Sequence, residues 1–146
     1  VSKKLRAVLA EGLVPILCVG EKERDADGTY FDVLKNQLKL SLAGLRRTDF
    51  REFVIAYEPL WAIGKSAREA MTPRDIRETT IFIRKVLADM YDAATAQQPV
   101  LLYGGSAEES NTAAILSEGG VAGLLVGHAS LDATGFIGML KSANSI

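Results

Sequence analysis

Four short apolar runs constrain this chain more than any other feature: Val14-Pro15-Ile16-Leu17-Cys18-Val19, Phe53-Val54-Ile55-Ala56-Tyr57, Val100-Leu101-Leu102-Tyr103 and Gly123-Leu124-Leu125-Val126. None alternates apolar with polar residues, so each reads as a strand covered on both faces, as in a parallel sheet. Periodicity alone leaves a short buried helix open as the alternative. Helical spacing fills the gaps. Residues 30–45 place Leu34, Leu38 and Leu42 on one face, and residues 75–91 do the same with Ile76, Ile83, Val86, Leu87 and Met90. Thr72-Pro73 is a helix entry with proline early in the first turn. A third helix is expected over residues 106–117, ended by Gly119-Gly120, and a short last one over residues 134–142. Such alternation predicts parallel strands joined by right-handed crossovers. No linker, low-complexity tract or composition shift divides the chain, so residues 1–146 read as one (β/α)4 domain.

Bulk properties exclude more than they identify. With 146 residues and 48% hydrophobic content the chain can bury a core. Its 17 basic and 18 acidic residues are mixed in sign, with no stripe for nucleic acid and no polybasic cluster for a membrane surface. Cys18 is the single cysteine, so no intramolecular disulfide forms. No apolar run approaches the roughly 20 residues of a membrane span. The opening VSKKLRAVLAEGL has helical spacing and lacks the charged-then-apolar order of a leader. The expected location is a reducing cytoplasm.

In βα architectures, ligand chemistry gathers at the carboxyl ends of strands. Here the exits are Gly20-Glu21-Lys22, Glu58-Pro59, Gly104-Gly105-Ser106 and Gly127-His128-Ala129-Ser130. Gly104-Gly105-Ser106 opening a helix would let backbone N–H groups approach an anion, aided by the helix dipole; a plain helix cap at Ser106 is the competing reading. Gly127-His128 would add N–H groups to the same anion if the two strands are adjacent. Glu58 leaves a buried strand, where desolvation favours a general base; a solvated or ion-paired carboxylate is its bland alternative. Trp61-Ala62-Ile63-Gly64 beside it reads as a water-excluding lid or as a buried plug. Lys65-Ser66 after Gly64 is no P-loop, because the upstream glycine is missing. His128, the one histidine, reads as catalytic or as a surface residue. Cys18, inside an apolar strand, is expected to be a small core residue.

Taken in order, ILCVGE, AYEPLWAIG, LLYGGS and GLLVGHASL resemble the last four strand segments of the triosephosphate isomerase family, over nearly the whole chain. The resemblance implies half of a (β/α)8 barrel. It makes Glu58 the base that moves a proton between the carbons of a triose phosphate. It implies that Pro59, Leu60, Trp61, Ala62, Ile63, Lys65, Ser66 and Ala67 begin a mobile lid. Gly64, Ser106, Gly127 and His128 become the phosphate grip, with Tyr103, Gly104 and Gly105 as its latch. No metal and no cofactor are called for. Two positions depart from the family. Its lid usually reads Ala-Ile-Gly-Thr-Gly, whereas Lys65-Ser66-Ala67-Arg68-Glu69 follow Gly64 here, and the second glycine of the last phosphate loop is His128.

A larger departure is that the four strand-helix units preceding these in the family have no counterpart in the sequence, nor do the lysine and histidine they bring to polarise the substrate carbonyl. Glu58 alone would face a weak carbon acid with little electrostatic help. Four parallel strands also leave two edges and an apolar inner face to be covered. The simplest cover is a second copy in a two-fold homodimer, the alternative a separate chain. In such a dimer the partner's Lys22 and the partner's His128 would lie at the exits that replace the missing ones. A triose phosphate or free phosphate is the expected ligand.

Overall fold

A computed structural model describes residues 1–65 and 70–146. Along the chain come α1 (Ser2–Ala10), β1 (Ile16–Val19), α2 (Tyr30–Ser41), β2 (Val54–Tyr57), α3 (Pro73–Met90), α4 (Ala93–Gln97), β3 (Val100–Tyr103), α5 (Glu109–Glu118), β4 (Gly123–Leu124) and α6 (Ala133–Ala143). The strands form one four-stranded parallel sheet in the order β1-β2-β3-β4, an α/β arrangement that matches half of a (β/α)8 barrel.

Register sorts the strand residues into two faces. Leu17, Ile55 and Leu101 form one row, and Val19, Tyr57, Tyr103 and Leu124 another on the same side. All but Leu124 are at most 3% exposed in this outer layer, where they join Leu34 and Leu38 of α2 and Ile76, Ile83 and Leu87 of α3 in one apolar core. The other rows, Ile16-Val54-Val100 and Cys18-Ala56-Leu102-Gly123, point to the inner side. There Ile16 is 52% and Val100 44% exposed, although Ala56 is buried. The expectation of strands covered on both faces therefore holds for one face. Cys18 is corrected by the same observation: it is exposed on the inner face of an edge strand, so it is not a core residue.

Local chemistry sets the element ends. Thr72 caps α3 by accepting from the Asp75 N–H at 3.2 Å, with Pro73 in the first turn, as expected. The helix expected over residues 30–45 stops at Ser41, because Gly44 takes φ +82° and turns the chain, though Leu42 and Leu45 stay buried. β4 is shorter than its apolar run; beyond it the Leu125 N–H still donates to the Tyr103 carbonyl at 2.8 Å. Three 3-10 turns, Arg47–Phe50, Leu60–Ala62 and His128–Leu131, and the short α4 were not expected from the apolar pattern. Among the described residues, no helix is long and apolar enough to cross a membrane.

Candidate functional site

Three backbone bonds prolong the ladder past the strand ends and place Glu58. Its N–H donates to the Val19 carbonyl at 2.8 Å, the Gly104 N–H donates to the Tyr57 carbonyl at 2.8 Å, and the Leu60 N–H donates to the Glu21 carbonyl at 2.9 Å. Two glycines make the approach feasible. A Cβ on Gly20 would stand 1.7 Å from the Glu58 carbonyl oxygen, and one on Gly104 would stand 2.5 Å from Glu58 Cγ. The Gln37 amide pins the first of these exits, donating to the Gly20 carbonyl at 2.8 Å and accepting its N–H at 2.9 Å.

Glu58 follows Ala56 on the inner side and is half-buried. A hollow of about 330 Å³ beside it is lined by Val1, Cys18, Val19, Gly20, Gln37, Ser41 and Leu60. Among these lining residues there is no lysine, arginine or histidine side chain. Partial desolvation first, then the neighbouring Glu58 carboxylate, push the Cys18 thiol up to about 11. At neutral pH the thiol is therefore protonated.

Behind Glu58 lies a buried polar cluster that the sequence reading passed over. Glu21 is 1% exposed, and its Oε1 accepts both the Tyr57 O–H at 2.8 Å and the Trp61 indole N–H at 2.9 Å. Oε2 finds no partner among the described residues. Burial first, then the Glu21 charge, raise the Tyr57 phenol, so it stays a donor. Arg24 ties the same loop to α3, with Glu78 at 3.0 Å and Thr79 at 3.4 Å, and covers the Tyr30 ring at 4.4 Å. Met71 brings its sulfur to 3.4 Å from the Tyr57 hydroxyl. Trp61, within the expected lid, and Met71, beyond it, thus meet one anchor.

The lid assignment divides. Pro59 and Ala62 are buried and Trp61 is bonded to Glu21, whereas Leu60 and Ile63 are 49% exposed. Ser66 and Ala67 lie outside the described residues. Tyr103 is fully buried; burial pushes its phenol up to about 12, and it lies near the Met71 backbone without hydrogen-bond geometry to any described residue.

A second cleft, of about 570 Å³, gathers Gly64 and Lys65, residues 104–108, and residues 127–129. The loops after β3 and β4 thus share one cleft with the segment that follows Trp61. Ser106 does not open or cap a helix: α5 begins at Glu109 with Glu108 before it, whose N–H donates to the Asn111 side chain at 2.8 Å. Ala107 and Glu108 separate Ser106 from the helix, and the Ser106 hydroxyl donates to the Lys65 carbonyl instead. The N–H groups of Gly105, Ser106 and Gly127 meet no acceptor among the described residues. His128 starts its 3-10 turn exposed beside this cleft. Lys22, exposed at the β1 exit, lines neither hollow. Among the described residues no cluster of three or more His, Cys, Asp or Glu side chains is placed to hold a metal ion.

Known proteins match this arrangement along the chain. A family model described as triosephosphate isomerase matches residues 1–143. A triosephosphate isomerase of Alkaliphilus metalliredigens is 39% identical over 97% of this chain and 56% of its own length. One of Fusobacterium nucleatum is 40% identical over 99% of this chain and 57% of its own. One of Dehalococcoides mccartyi is 43% identical over 98% and 55%. The chain spans about half the length of the curated relatives it matches.

Proposed function

This chain belongs to the triosephosphate isomerase family, and from that premise we propose that its 146 residues carry the proton-transfer and phosphate-holding half of an aldose-ketose isomerase site. In this reading Glu58 removes a proton from the carbon beside a carbonyl and returns it to the neighbouring carbon. The substrate phosphate sits in the cleft of Gly105, Ser106 and Gly127, whose N–H groups have no other described acceptor. The enediolate formed on the way needs a donor or cation at its oxygens, and without one the proton abstraction is steeply uphill. What carries the proposal is the lining of the Glu58 hollow, which holds a thiol, an amide and a hydroxyl but no cationic side chain. The half site therefore binds and positions, and it turns over only when a complementary half brings the electrophile.

The open inner face gives the isolated chain a reason to self-associate. Ile16, Cys18 and Val100 are exposed on it, and β1 and β4 each have one unpaired edge among the described strands. A second copy is the cover we propose, in a two-fold pair. An isomerase assay with light scattering on the same purified sample tests both statements. Dimers with no turnover above a Glu58→Gln control are expected; an active monomer would overturn them. A second reading rests on Lys22 and His128, both exposed at the exits of the two edge strands. A homodimer whose turnover is abolished by Lys22→Met as well as by Glu58→Gln would favour it.

A further inference from the structure

The cleft beside β3 and β4 mixes charges of both signs. Among the described lining residues Lys65 and Glu108 carry opposite charges and His128 is the one histidine, while the Glu58 carboxylate lies behind Gly104, its Oε1 3.4 Å from where a Cβ on that glycine would stand. Asp132 lies nearby at the start of α6, but its two oxygens accept the Thr134 and Gly135 N–H groups at 3.2 and 3.0 Å. Lys65 comes from the segment after Trp61, Glu108 from the loop before α5, and His128 from the loop after β4. All three line the cleft that Ser106 and Gly127 also line, and the N–H groups of those two meet no acceptor among the described residues. Histidine is the side chain whose ordinary titration falls between pH 5 and 8.

We propose that His128 is an anion-binding residue of this cleft, and that its protonation tightens the grip on a tetrahedral dianion of the phosphate class. This rests on the phosphate reading of the cleft and adds to it a dependence on pH. Backbone N–H groups hold the anion at any pH, because they do not titrate. Lys65 and Glu108 bring opposite charges to the described lining. Among the described lining residues the imidazole is the group whose gain of a proton adds charge for a dianion to meet, and a unit charge a few ångströms away at a solvent-exposed site is worth about tenfold in affinity.

Phosphate monoesters lose charge near pH 6 themselves, which would mask the effect. Sulfate keeps its two charges from pH 5.5 to 8.0 and is the suitable probe. Sulfate is titrated into the full chain at constant ionic strength, followed through the amide signals of Ser106 and Gly127. The expected result is binding about tenfold tighter at pH 5.5 than at pH 8.0, with His128→Gly keeping the weaker affinity at both. Equal affinity of the unaltered chain at both pH values would overturn the proposal while leaving the phosphate reading intact. So would a His128→Gly variant that still tightens, which would assign the effect to Glu108. Absence of sulfate binding at either pH would overturn both. Should His128→Gly fail to fold, the His128 ring signal of the unaltered chain decides. Saturating sulfate is expected to raise its titration midpoint by about one pH unit, the reciprocal of a tenfold tightening, and an unmoved midpoint would overturn the assignment.

Discussion

Ile16 and Leu17 are neighbours of equal apolar character, yet Ile16 is 52% exposed and Leu17 3%. The outer face of the sheet has α2 and α3 against it, whereas the inner face buries Ala56 but leaves Ile16, Cys18 and Val100 exposed. What this teaches is that the apolar pattern encodes two covers, while the chain brings one. The functional site shares the asymmetry. Glu58 is held from behind by Gly20, Gly104 and the Glu21 cluster, whereas the hollow beside it, at the β1 edge, has no lysine, arginine or histidine side chain in its lining.

The largest expected effect tests the inner side. With the site completed by a complementary half, Glu58→Gln should lower kcat/KM by about 10²–10⁴, read in a coupled assay, while sulfate binding stays unchanged. Next come paired core substitutions. Leu38→Ala, in the fully buried outer layer, should cost about 2–5 kcal/mol in urea unfolding. Ile16→Thr should shift the dilute chain by no more than about 0.5 kcal/mol and instead raise the concentration at which it self-associates. Equal costs for the two would break the comparison, because the inner face would then be covered already.

A smaller effect concerns the anchor. Trp61→Phe removes one of the two donors to a carboxylate that is 1% exposed, and should cost about 1–3 kcal/mol. An unchanged urea midpoint would mean that Glu21 is solvated and no anchor. The smallest effect is a pH dependence. The Cys18 thiol is raised from 9.0 to about 11, so between those values the unfolded chain has lost a proton that the folded chain keeps. Stability is then fully present below pH 9 and declines as pH rises toward 11. Cys18→Ser should flatten part of that decline in urea midpoints measured from pH 8 to 11.

The outer layer was legible in the sequence because its signal is local and periodic. Leu34, Leu38 and Leu42 fall on one helical face, and Thr72-Pro73 announces α3 through cap chemistry that spans only a few residues. Cys18 was misread because burial on the inner face depends on a cover, and composition cannot say whether one is present. Ser106 was misplaced by a loop whose path to α5 needs Ala107 and Glu108 as well, a detail that a Gly-Gly-Ser motif does not carry. Glu21 went unread for a different reason. Its partners Tyr57 and Trp61 are 36 and 40 residues away, so nothing near it marks the carboxylate as buried. The strand exit itself was the available signal, since Glu21 and Glu58 leave neighbouring strands.

The central claim is that these 146 residues hold the base and lack the electrophile. It is tested most directly by mixing the purified chain with a separate polypeptide that carries the first four strand-helix units of a relative, and assaying triose phosphate isomerisation before and after mixing. Turnover should be absent from either polypeptide alone, appear on mixing, and vanish when the mixed chain carries Glu58→Gln. Turnover by the unmixed chain at a dilution where it is monomeric, or a mixture indifferent to Glu58→Gln, would contradict the claim.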